Sequence, residues 1–166
     1  MPSPAMMSAT PSPRRFNCLA PAQCQGAPDR SVQDAQRNQL FVNLLNAFRR
    51  SGGLARVPEV AARFHTYGND VSPLAGWVNQ RQVISFEWQS QRWMPLFQFN
   101  PVGLSLRAGL THVLNELLGV CDDWELATWF AQPNPWLADH IPADMLAVAA
   151  PQVLDAARAE RFVAAG

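Results

Sequence analysis

Apolar residues recur at helical spacing from Val32 to Arg50, where Leu40, Phe41, Leu44, Leu45 and Phe48 share one side and Gly52-Gly53 supplies a stop. Pro58 opens a shorter segment with Val60, Ala61 and Phe64 on a common face, broken by Gly68-Asn69-Asp70. Ser72 is placed to cap another helix, with Pro73 in its first turn and Leu74, Trp77 and Val78 facing inward. The period changes at Val83: Ile84, Phe86 and Trp88 alternate with Ser85 and Glu87, the polar link Gln89-Ser90-Gln91-Arg92 follows, and a second run extends from Trp93 to Phe99. This pattern predicts a β-hairpin. Pro95 has no N–H to donate, so its strand must lie at an edge or pair on one side only at that point.

Four further helices follow. Leu106, Leu110, Val113, Leu114, Leu117 and Leu118 define an amphipathic one ended by Gly119. Asp122 or Asp123 caps the next, which carries Trp124, Leu126, Ala127, Trp129 and Phe130 and stops at Pro133. Pro142 starts a helix with Met145, Leu146 and Val148, and Pro151 starts the last, with Val153, Leu154, Ala157 and Phe162. The expected fold class is mainly α with a small β-hairpin: a helix-turn-helix plus hairpin, winged-helix-like in order, followed by a compact helical domain. Three segments result. Residues 1–30 hold six prolines and no apolar period and read as a disordered arm. Residues 31–105 form the helix-turn-helix and hairpin module, and residues 106–166 the helical domain.

At 166 residues and 48% hydrophobic, the chain has material for one sizeable core. No apolar run approaches the roughly 20 residues that span a bilayer, and nothing at the start reads as an export signal. Cys18, Cys24 and Cys121 are odd in number and match no common zinc or disulfide-exchange spacing, so a reducing, cytoplasmic setting is expected. Every basic residue is Arg, and the zero net charge hides a split. Met1 to Arg107 carries 11 Arg and 5 acidic residues, a net +6, whereas Ala108 to Gly166 carries 2 Arg and 8 acidic residues, a net −6. Such a split fits two surfaces with different partners, the first able to face phosphate, and equally fits two halves that attract each other.

Candidate chemistry is sparse. His65, His112 and His140 are far apart in sequence and lack a carboxylate or Cys at ligand spacing, so no metal and no cofactor is expected. No nucleophile motif or phosphate-binding glycine loop occurs, which points away from an enzyme and leaves no catalytic residue to name. Asp122, Asp123 and Glu125 read as first-turn acids favoured by a helix dipole rather than as an acid–base pair. For DNA, the candidates are Ser72 at the start of the second short helix, Asn79, Gln80 and Arg81 opposite its apolar face, and Arg92 at the hairpin tip. Arg49, Arg50, Arg56 and Arg63 are further candidates for phosphate. A solvated polar face accounts for Asn79 to Arg81 almost as well.

The stretch Ala127-Thr128-Trp129-Phe130-Ala131-Gln132-Pro133-Asn134-Pro135-Trp136-Leu137, followed by Pro142 and Met145-Leu146, resembles the C-terminal toxin-binding domain of Xre/MbcA/ParS-type antitoxins. That family's pattern is Ala-x-Trp-apolar, Pro-Asn, a Leu three residues after the Asn, and a Pro opening a helix with an apolar pair. The match covers roughly Leu106 to Phe162. It departs at Ala138 and Asp139, where the family has a Gly, and lacks the Gly usual before the last helix. The hairpin with Trp93-Met94-Pro95-Leu96-Phe97-Gln98-Phe99 is similar to excisionase-like modules fused ahead of such domains.

The resemblance implies an antitoxin-like transcriptional regulator that binds double-stranded DNA and neutralises a partner toxin of the RES type, which degrades NAD. It implies a partner-binding set of Trp129, Asn134, Trp136, Leu137, Arg161 and Phe162. A homodimer is expected, since DNA readers of this size pair half-sites. The alternative is a protein-protein adaptor whose helix-turn-helix no longer binds DNA. A small-molecule sensor using the Trp-rich hairpin as a pocket wall stands further back, because no polar constellation accompanies those aromatics.

Overall fold

A computed structural model describes residues 30–68 and 71–166, so the Pro-rich arm, apart from Arg30, and Asn69-Asp70 lie outside the described residues. The protein is mainly helical with a small β-hairpin, as the hydrophobic pattern predicts, and a further short strand extends the hairpin into a three-stranded antiparallel sheet. Helix α1 runs over Arg30–Phe48 and buries Phe41, Leu44 and Phe48; Gly52, at φ +108°, turns the chain out of it. Strand β1, Leu54–Arg56, follows at once. Helix α2, Val57–Thr66, starts after Arg56, whose backbone N–H and guanidinium both donate to the Glu59 carboxylate, and it buries Val60 and Phe64. Helix α3, Ser72–Asn79, begins after Val71, which takes the N-cap position expected for Ser72.

The hairpin pairs β2, Phe86–Trp88, with β3, Gln91–Pro95. Its turn is only two residues long, since Gln89 (φ +47°) and Ser90 (φ +57°) both adopt the left-handed conformation of a type I′ turn. The expected four-residue link is therefore corrected: Gln91 and Arg92 belong to β3, and Arg92 faces Glu87 rather than sitting at the tip. The strand order is β1-β3-β2, so Pro95 lies on the central strand. It pairs there with Leu54 of β1 alone, because β2 ends opposite Trp93, and the missing N–H disturbs no second ladder. Beyond Pro95 the run expected to stay extended becomes a 3-10 turn, Leu96–Gln98. Gln98 is fully buried there; its carboxamide accepts from the Ile84 N–H (2.8 Å) and donates to the Ile84 carbonyl (3.1 Å), in place of a strand ladder.

Helix α4, Leu110–Leu117, starts later than its period implies, since Leu106 instead bridges to Phe99. At Gly109 (φ +83°) a Cβ would come within 2.9 Å of the Ala150 Cβ, so the close approach of α4 to the last helix needs glycine there. Helix α5 is Asp123–Ala131, α6 is the single turn Pro142–Met145, and α7 is Ala150–Ala165. Val148 falls outside α6 and is exposed, so it is not a core residue.

Two apolar clusters organise the molecule. The smaller joins Ala55, Val60, Phe64, Leu74, Met94 and Phe99 under the helix-turn-helix. The larger contains Phe41, Phe48, Phe86 and Phe97 from the N-terminal side together with Leu114, Phe130 and Val153 from the C-terminal side, so packing is continuous across residue 105. An aromatic series runs through it: Phe48 on Phe97 (5.4 Å between centroids), Phe97 on Phe130 (5.2 Å) and Phe130 against Trp129 (4.9 Å). Phe86 of β2 meets Trp124 of α5 at 4.5 Å, and Trp88 stacks on Phe41 at 3.8 Å with rings 4° from parallel.

The larger core, shared by the N- and C-terminal sides, predicts one cooperative transition. Urea unfolding followed by tryptophan fluorescence and by far-ultraviolet circular dichroism should give coincident curves. Phe86→Ala should cost about 3–5 kcal/mol and shift both curves together.

Candidate functional site

The arginines expected to meet DNA converge on one carboxylate. Arg81 follows the C-terminal end of α3, in a left-handed conformation (φ +53°) set by a turn in which the Arg81 N–H donates to the Val78 carbonyl and the Gln82 N–H to the Trp77 carbonyl. Its Nη2 lies 2.7 Å from Oδ1 of Asp123, the first residue of α5. Arg92 donates to the Ser85 hydroxyl (3.1 Å) and holds its Nη1 4.0 Å from Asp123 Oδ2. Asn79 and Gln80 are exposed beside Arg81, whereas Ser72 stands at the opposite end of α3, about 10 Å away along the axis. Helix α3 itself, Ser-Pro-Leu-Ala-Gly-Trp-Val-Asn, contains no charged residue.

Of the further arginines, Arg56 is engaged by Glu59, whose carboxyl is held below its usual range by the Arg56 backbone N–H and then by its guanidinium. Arg49, Arg50 and Arg63 are exposed and make no ion pair among the described residues. An open groove of about 700 Å³ lies between α1, the hairpin turn and the start of α5, with Asp34, Arg37, Trp88, Arg92, Asp123 and Trp124 in its walls. Its charges alternate in sign. Among the described residues no group of three or more His, Cys, Asp or Glu is placed to hold a metal ion.

In the helical half, the stretch from Ala127 to Leu137 is built from the inside. Asp122 caps α5, accepting from the N–H groups of Trp124 and Glu125, and Glu125 returns the bond to the Asp122 N–H. After α5, Asn134 closes the turn: its side-chain oxygen accepts from the Trp136 N–H (2.9 Å), its carbonyl accepts from Leu137 and Asp139, and its N–H donates to the His140 carbonyl (3.0 Å). Asn134 is 1% exposed, Leu137 6% and Trp129 7%, so these three hold the turn to the core and present nothing to a partner. For them the expected docking role gives way to a structural one. Trp136 (58% exposed) and Phe162 (80%) remain open to contact. Arg161 pairs with Glu116 of α4, as does Arg158.

Ala138 (φ +51°) and Asp139 (φ +61°) occupy the left-handed region in succession, at the place where the resembled family carries glycine. The Trp129 indole nitrogen is buried without a partner at full hydrogen-bond geometry. Near it, Glu160 is half-buried; burial raises its carboxyl pKa, and the pull of the Trp129 indole offsets that only in part.

Asp123, which the sequence marks only as a first-turn acid or cap, is the residue whose pairing with the arginines it did not reveal. Its position at a helix start has a sufficient local explanation, and only the opposite charges of the two halves hinted at a contact between them. Comparison with protein-family models, with curated proteins and with solved structures finds no match for this chain.

Two outcomes test this geometry. Ala138→Gly should stabilise the protein by about 0.5–1 kcal/mol in urea titration, because glycine relieves the left-handed penalty at slightly greater chain entropy. For Glu160, a folded pKa above the unfolded one means that native protein holds the proton more tightly. Stability is then lost as pH rises from the unfolded carboxyl range through the raised folded value. Glu160→Gln should therefore raise the melting temperature at pH 7 and leave it unchanged at pH 4.

Proposed function

We propose that this protein is an antitoxin-like regulator in which the winged half contacts DNA and the helical half docks and silences a protein partner, a RES-type toxin on the resemblance of the Trp129–Leu137 stretch. The observation that carries the reading is the segregation of charge along the folded chain: among the described residues most arginines precede Ala108, on and after α1, around α2 and α3 and on the sheet, and most acids follow it, in the helical unit. The docking surface is Trp136 with the end of α7, where Phe162 and Val163 leave large apolar groups in solvent. No helix among the described residues is long and apolar enough to cross a membrane.

A second reading, an adaptor that binds protein but no DNA, is favoured by a specific observation: α3 has no cation, and Arg81 and Arg92 already face Asp123. Co-expression with a RES-type toxin separates the readings. The regulator should co-purify with the toxin and also shift a duplex at low salt, with affinity falling steeply as salt rises. Co-purification without any DNA shift leaves the adaptor, and failure to co-purify removes the docking half. Trp136→Ala and Phe162→Ala should each weaken toxin binding by 1 kcal/mol or more, about fivefold, while changing stability by less than about 0.5 kcal/mol.

A further inference from the structure

Arg81 and Arg92 come from different elements, one following α3 and one from β3 of the hairpin, yet both point at a single carboxylate contributed by the acidic half. Two guanidinium groups gathered on one anion is the arrangement with which proteins hold a backbone phosphate. Asp123 is not needed as a cap, because Asp122 and Glu125 complete the capping box without it. All three side chains are about 40% exposed, so the pairs are solvent-screened and contribute little to stability. A carboxylate held this weakly exchanges readily with a competing anion.

We propose that Asp123 is an internal stand-in for a DNA phosphate: it occupies Arg81 and Arg92 and thereby holds down the affinity of the winged half for duplex DNA. The inference rests on the DNA half of the proposed function and names its regulation. DNA binding exchanges one anion for another at this site. The acidic helical unit acts as a brake built into the same chain.

The test is fluorescence anisotropy of the full chain against a random-sequence duplex of about two helical turns, between about 50 and 200 mM salt. With no carboxylate to displace from Arg81 and Arg92, Asp123→Asn should tighten binding about fivefold at low salt, while the salt slope stays near that of wild type because both arginines meet phosphate in either complex. Adding Arg81→Ala and Arg92→Ala to Asp123→Asn should abolish that gain and flatten the salt slope. Circular dichroism should show both variants folded, since the Asp122 cap is untouched. If wild type binds and Asp123→Asn binds with the same affinity, the brake is overturned and the DNA reading stands. If the gain survives loss of both arginines, general charge removal replaces the brake. If neither wild type nor Asp123→Asn binds at low salt, the DNA reading fails and the brake with it.

Discussion

The architecture depends on burial of the hairpin's inner face. Phe86 and Ile84 enter the larger core with Phe41 and Phe48 of α1 and with Phe130 of α5. Each such aromatic or branched side chain removed from water is worth roughly 1.5–3 kcal/mol. A wing that projects freely would expose these groups. Here the hairpin instead forms a wall between the helix-turn-helix and the C-terminal helices, and only its turn and outer residues remain in solvent. The same burial fixes where Arg92 lies relative to α5, which no surface charge could do alone.

Helical elements with marked ends were legible in the sequence: α1 stops just before Gly52-Gly53, α5 follows the Asp122 cap and α7 has Pro151 in its first turn. Elements whose existence depends on distant partners were not. Strand β1 is three residues long and is a strand because Leu54 to Arg56 pair with Trp93 to Pro95, some 40 residues later. Leu106 fits the period of α4 but bridges to Phe99 outside it, since two residues in phase with a helix do not fix its start. For the candidate site, residue type was readable and depth was not. Asn134 is polar, yet it is buried because its side chain and backbone together close a turn that water would otherwise have to satisfy.

The charge asymmetry was visible from composition, and its physical use was not. Of the two explanations that the sequence leaves open, partners for each half or attraction between halves, the contact of Asp123 with Arg81 and Arg92 supplies an instance of the second. Magnitudes keep the two compatible. An exposed pair contributes at most about 1 kcal/mol, far less than the shared apolar core, so the ion pairs do not hold the halves together. They remain free to change partners without unfolding anything.

The turn from Asn134 to His140 makes the complementary point about the docking side. Two non-glycine residues in the left-handed region cost about 1–2 kcal/mol each, and the conformation persists because Leu137 is anchored in the core and Asn134 ties the backbone at both ends. A turn so determined has little freedom left to lose. Trp136, carried on it with its ring largely in solvent, is therefore already positioned before any partner arrives. Contacts made through such a residue spend little binding free energy on ordering the chain. That distinguishes Trp136 from Phe162 and Val163, which sit in the last turns of α7, where helix ends fray. A partner that seats both regions would order the end of α7 against a turn that does not move.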